Sequence, residues 1–192
     1  MKRSSFALST AAAILVTATA AFAGPLAGAI FTTTVNGNRV NANQYERKED
    51  VYLDGGPGAN APAGAAALPA GDYYFQVTDP SGKVLLSQDP VANRRFTVSP
   101  AGVIVNSTHV MGVDMDHAAL GARTVQLFPY ADTPNPGGVY KVWATPVDRF
   151  EGDVNQIDNP GQFHGFSNAW SKTDNYKVLR QGPDCGCGCG CP

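Results

Sequence analysis

The chain has 192 residues, with 14 lysines and arginines against 16 aspartates and glutamates, and a formal net charge of −2. That balance excludes a phosphate-tracking nucleic-acid binder, which needs clustered basic side chains; after residue 23 the only adjacent basic pairs are Arg47-Lys48 and Arg94-Arg95. The length admits one ordinary domain or two small ones, and 21 glycines and 14 prolines scattered between β-prone runs argue against a helical protein.

Residues 1–23 read as a secretory leader. Lys2 and Arg3 precede an apolar stretch from Phe6 to about Ala20, and Ala21-Phe22-Ala23 offers the small residues at which a signal peptidase cuts. The stretch is broken by Ser9, Thr10, Thr17 and Thr19, so it makes a poor permanent anchor, and no later segment is long and apolar enough to span a membrane. The expected product is exported: secreted, periplasmic or at the cell surface.

From Gly24 onward, short runs rich in Val, Tyr, Phe and Thr alternate with turn residues, the pattern of an all-β, antiparallel sandwich. Pro69-Ala70-Gly71-Asp72-Tyr73-Tyr74-Phe75-Gln76-Val77-Thr78 aligns without gaps to Pro136-Gly137-Gly138-Val139-Tyr140-Lys141-Val142-Trp143-Ala144-Thr145. Before this motif Val51-Tyr52-Leu53 matches Val125-Gln126-Leu127, and after it Phe96-Thr97-Val98 matches Tyr176-Lys177-Val178. The order predicts two tandem β-sandwich modules, 24–99 and 100–181, with a Cys/Gly-rich tail at 182–192. Tyr73, Phe75, Val77, Tyr140, Val142 and Ala144 are the expected inward-facing residues.

The segments Lys48-Glu49-Asp50-Val51-Tyr52-Leu53-Asp54-Gly55-Gly56-Pro57, Gly71 to Gly82, Asp132 to Gly138, Tyr140-Lys141-Val142-Trp143 and Lys172 to Val178 together resemble a family of uncharacterised bacterial exported proteins. Those proteins are similar to the immunoglobulin-like and prealbumin-like modules of surface adhesins. The resemblance implies a β-sandwich and an extracytoplasmic setting, and carries no activity with it.

Four places offer chemistry. Cys185, Cys187, Cys189 and Cys191 are all the cysteines of the chain, at alternate positions among glycines. They suit a soft metal ion such as Cu(I) or Zn(II), or in an oxidising compartment disulfides, including bonds between chains, or they form a low-complexity extension. Asp148, Glu151, Asp153 and Asp158, in a long insertion between Thr145 and Ser171, offer oxygen ligands for calcium without the EF-hand pattern. His109, Asp114, Asp116 and His117 have metal-binding chemistry but no helical ligand spacing, and read as polar residues of an inter-strand loop. Lys48 with Asn93 or Asn175 supplies the residue types of an isopeptide crosslink.

No nucleophile elbow, phosphate loop or dinucleotide fingerprint is present, and the three histidines are the available bases. The sequence therefore points to a non-enzymatic exported structural or interaction protein without a cofactor. Its partner would be an unidentified protein or surface ligand, met by the 54–68 and 146–170 loops or by Trp143 and Trp170. The alternative is a metal-handling protein that works through the cysteine tail.

Overall fold

The computed structural model describes residues 26–57, 61–62 and 65–179. Within them lie strands β1 (Ile30–Thr33), β2 (Gln44–Tyr45), β3 (Tyr52–Gly55), β4 (Gly71–Thr78), β5 (Arg95–Val98), β6 (Ile104–Ser107), β7 (Val125–Gln126), β8 (Val139–Pro146) and β9 (Lys172–Val178). Among the described residues helical structure is limited to three-residue 3-10 turns, and no helix is long and apolar enough to cross a membrane. The expected all-β architecture is present as two sheets, one in the order β1-β3-β7 and one in the order β2-β9-β8-β4-β5-β6. All strand pairs are antiparallel except β2 with β9.

Period-two alternation places the core as expected. Tyr73, Phe75, Val77, Tyr140, Val142 and Ala144 are fully buried and belong to one cluster with Leu53, Phe96, Ile104, Val125, Leu127 and Tyr176. A bond between the layers supplements this packing. Asp174 on β9 accepts both the backbone N–H of Thr32 on β1, at 2.8 Å, and its hydroxyl, at 3.0 Å.

The aligned segments pair with one another in both sheets, while β1 and β6, the first strands of 24–99 and 100–181, lie in different sheets. Strands of 24–99 and 100–181 interleave in both sheets: β4 pairs with β8 over six residues, and β3 pairs with β7. A single core cluster draws on both stretches, so they do not stand as separate sandwiches. The reason is size. Each copy contributes a hairpin and one short strand to the repeat, too little to bury its own apolar face or cover its own strand edge.

The two copies are related by a local two-fold axis. Gln76 lies opposite Trp143 in the β4–β8 ladder and is also its equivalent in the repeat; Tyr52 and Gln126 have the same double relation in the β3–β7 ladder. Equivalent aromatic pairs follow the axis. Tyr73 opposes Phe96 with rings stacked at 5.3 Å and 13°, and Tyr140 opposes Tyr176 with rings stacked at 5.4 Å and 11°. The symmetry stops at the sheet edges, where β6 runs antiparallel to β5 but β2 runs parallel to β9.

The small sheet is closed by residues 110–115. On the free side of β7 the Gln126 N–H donates to the Val110 carbonyl and the Gly112 N–H to the Thr124 carbonyl, each at 2.9 Å. Beyond Gly112 the same segment turns to the continuation of β1, where Val113 donates to the Val35 carbonyl and Met115 to the Asn36 carbonyl at 3.0 Å. Glycine is required at 112, since a Cβ there would collide with the Val35 carbonyl and the Thr124 hydroxyl.

Candidate binding groove

The residues between β1 and β3 build a groove at the β2 end of the molecule. Gly37, Asn41 and Asn43 adopt left-handed backbone angles, φ 67°, 50° and 58°, which turn the chain back so that β2 runs beside β9. Tyr45 packs edge-on against Tyr176 at 6.1 Å, and the turn Lys48–Asp50 leads into Tyr52. The groove, of about 600 Å³, has Tyr45 and Tyr52 in its walls together with Val35 and Leu179, which are 43% and 50% exposed. Its charged lining is Arg39, Glu46, Glu49 and Asp50. Arg47 holds Asp50 from outside through Nε at 3.3 Å and Nη2 at 3.2 Å. Burial, and then the Asp50 charge, raise the Tyr52 hydroxyl above the usual tyrosine range, so it stays protonated.

The His109–His117 segment closes the small sheet: Asp114 is buried and His109 and His117 are half-buried, while Val110, Met111, Val113, Met115 and Asp116 are exposed as a surface loop would be. The half-buried His109 packs its ring edge-on against Phe75 at 4.9 Å, with Nδ1 2.9 Å from the Gln126 carbonyl and Nε2 3.0 Å from Asp89. Asp89 in turn faces Arg94 Nε at 3.9 Å, and burial lowers the Arg94 guanidinium to about 10. Asp114 is 1% exposed; it accepts the backbone N–H groups of Asp116 and His117 and meets His117 Nδ1 at 2.6 Å.

Asp54 was not singled out by the sequence. Its partner in the β1–β3 ladder is Phe31, on the face opposite Leu53, and the 110–115 segment leaves it 2% exposed. Burial first, then Asp114 and Asp116, push its carboxyl up to about 8, against the lowering effect of the Gly55 N–H that it accepts. The available signal was a carboxylate ending the apolar run Val51-Tyr52-Leu53.

The 146–170 insertion is folded onto the outer face of the six-stranded sheet. Phe150, Phe163 and Phe166 from the insertion join Tyr74, Val91 and Trp143 in a second apolar cluster, where the Trp143 indole N–H donates to the Thr78 hydroxyl at 2.9 Å. Trp170 lies over Arg149, whose guanidinium carbon is 4.3 Å from the ring centre.

The four acidic residues of the insertion point to different partners. Asp148 sits 3.9 Å from Arg149 Nε, Asp153 accepts from the Asn155 backbone and side chain, and Asp158 meets His164 Nδ1 at 2.8 Å. Glu151 borders a separate depression of about 360 Å³ formed with residues 160–163 and 165–169. Among the described residues no three His, Cys, Asp or Glu side chains gather as a metal site.

Lys48 Nζ bonds Asp132 at 2.8 Å, while Asn175 stands opposite Lys141 across β8 and β9 and the Asn93 carbonyl accepts the Thr108 hydroxyl. The secretory leader and Cys185, Cys187, Cys189 and Cys191 lie outside the described residues. Comparison with protein-family models, with curated proteins and with solved structures finds no match.

Proposed function

We propose that this is an exported, non-enzymatic interaction protein whose sandwich is a scaffold and whose groove beside β2 is the contact point for a partner at the cell surface. The observation that carries this is the groove itself: aromatic and aliphatic walls under a charged rim, of a size suited to a ligand or a protruding side chain. Each of the three histidines lies within hydrogen-bond distance of a carboxylate, Asp89, Asp114 or Asp158, and the proposal takes these pairs as structural. Kinship with immunoglobulin-like and prealbumin-like adhesin modules belongs to the same proposal and rests on the sequence resemblance. A second reading, soft-metal handling through Cys185, Cys187, Cys189 and Cys191, rests on the concentration of every thiol in one tail.

Cell fractionation and add-back test the proposal. The protein should leave the cytoplasm, and purified mature protein should adhere to producing cells that lack it. Val35→Asn with Leu179→Asn, two exposed positions, should lose adhesion while melting like the parent. Retention in the cytoplasm, or undiminished adhesion of the double variant, would sink the proposal.

A further inference from the structure

Apart from the groove, we infer a second contact site, for a neutral saccharide, in the depression of about 360 Å³ that Glu151 forms with residues 160–163 and 165–169. The hydrogen bonding of the insertion singles it out. Most Asp, Asn, Gln, Ser and His side chains between residues 146 and 171 are bonded or paired within the loop itself. Asp148 stands beside Arg149, Asp153 accepts from Asn155 and Gln156, Asn159 bonds the Asp153 backbone in both directions, Asp158 meets His164, and Ser171 donates to the Ser167 carbonyl. Among the described residues, the acidic, carboxamide and hydroxyl side chains of that stretch without a partner are Glu151, Gln162, Ser167 and Asn168, and all four line the depression. The loop that carries them is tied down by its backbone: the Phe163 carbonyl accepts Gln76 Nε2 at 3.1 Å, and the Glu151 N–H donates to the Gly165 carbonyl at 2.9 Å.

This donor set selects the ligand. Two carboxamides and a hydroxyl both donate and accept, and one carboxylate accepts, which matches the adjacent hydroxyls of a sugar. No lysine or arginine lines the depression to hold an anion, and a cation would find one exposed carboxylate, a weak attraction in water. The floor is apolar: Phe163 is half-buried and Phe166 is 5% exposed, and the electron-rich face of an aromatic ring favours the C–H groups of a pyranose. The volume falls at the low end of the roughly 300–1,000 Å³ of small-molecule sites, so a mono- or disaccharide fills it. No strand residue lines it, so an extended peptide finds no ladder to join.

Magnetic resonance of isotopically labelled mature protein tests the inference with the methyl glycosides of glucose, galactose, mannose and N-acetylglucosamine. Two comparators go beside them: cyclohexanol, a ring with a single hydroxyl, and tetraalanine, a short peptide. At least one glycoside should shift the carboxamide N–H signals of Gln162 and Asn168 saturably, and neither comparator should. Gln162→Ala with Asn168→Ala removes two exposed side chains that bond nothing in the protein, so binding should weaken about tenfold or more with an unchanged melting temperature. Absence of a saturable shift from every glycoside, equal shifts from cyclohexanol, shifts from tetraalanine alone, or undiminished binding by the double variant would each overturn the inference. The Val35/Leu179 variant should bind the glycoside as the parent does. Loss of that binding would put the sugar in the groove and overturn the inference, whereas intact binding with undiminished adhesion sinks the groove alone.

Discussion

Gln76 and Trp143 face each other across β4 and β8 at equivalent points of the two repeats, and each side chain makes a different bond beneath the insertion. Gln76 Nε2 donates to the Phe163 carbonyl at 3.1 Å, and Trp143 Nε1 to the Thr78 hydroxyl at 2.9 Å. The local axis therefore relates backbones while the side chains on it have diverged to hold one asymmetric loop.

Trp143→Ala should be among the most damaging single changes. It removes a ring that is 1% exposed and packed at 5.1 Å against Phe163, and with it the N–H that the Thr78 hydroxyl accepts, leaving that hydroxyl only its bond to the Asp79 carbonyl. Loss of about 3–5 kcal/mol is expected in denaturant unfolding. Trp170→Ala, which removes only a partly exposed stack on Arg149, should cost less than about 1 kcal/mol. Equal losses for the two variants would contradict the assignment of Trp143 to the second cluster.

Asp54→Asn should stabilise the protein at neutral pH, and the gain should depend on pH in a defined direction. Below pH about 4 the carboxyl is protonated in folded and unfolded chains alike, so the variant gains nothing from the missing charge. Between about 4 and 8 the unfolded Asp54 ionises freely, while the folded one keeps its proton. Native stability therefore falls as pH rises, by up to about 1.4 kcal/mol per pH unit. Melting curves of both proteins at pH 4 and pH 8 measure this; a gap that narrows toward pH 8 would reverse the sign.

At Gly112 the smallest addition should be costly. Gly112→Ala drives a methyl into the Val35 carbonyl and the Thr124 hydroxyl, so the closing segment must shift. A loss of about 1–3 kcal/mol is expected, accompanied by faster amide exchange at Val113 and Met115, whose N–H groups bond the continuation of β1. Gly121→Ala serves as a control: its added Cβ meets no neighbour within 4 Å, although φ there is 72°. Its cost should come from backbone strain alone, without faster exchange at Val113 or Met115.

Deleting residues 182–192 should leave the melting temperature unchanged, because β9 ends at Val178. Soft-metal content of protein purified under reduction, and disulfide-linked oligomers formed under oxidation, should both disappear with the tail. A metal or disulfide signal that persists after deletion would have no cysteine to explain it, since all four lie between 185 and 191.

The inner face was legible because it depends on local alternation: Tyr73, Phe75 and Val77 sit where a period of two places them. The repeat was legible for the same reason, since turn residues and alternation are short-range. How the copies combine was not. Tandem and interleaved packing use the same strands with the same faces, and only long-range pairing such as Gln76 with Trp143 separates them. The buried states of Asp54 and Asp114, and the enclosed ring of His109, escaped for a related reason. Their burial comes from one extended segment folding across a distant sheet, and acidic and histidine side chains in a loop otherwise signal water.

Interleaving also sets an order of events for a chain that would be threaded through a membrane from its N-terminus. β3 has no β7 to pair with, and β4 has no β8, until more than half of the sequence has passed; β2 waits for β9. The first repeat would travel without these partner strands; the small sheet would gain its last strand with β7, and the large sheet would be completed only once β9 had followed.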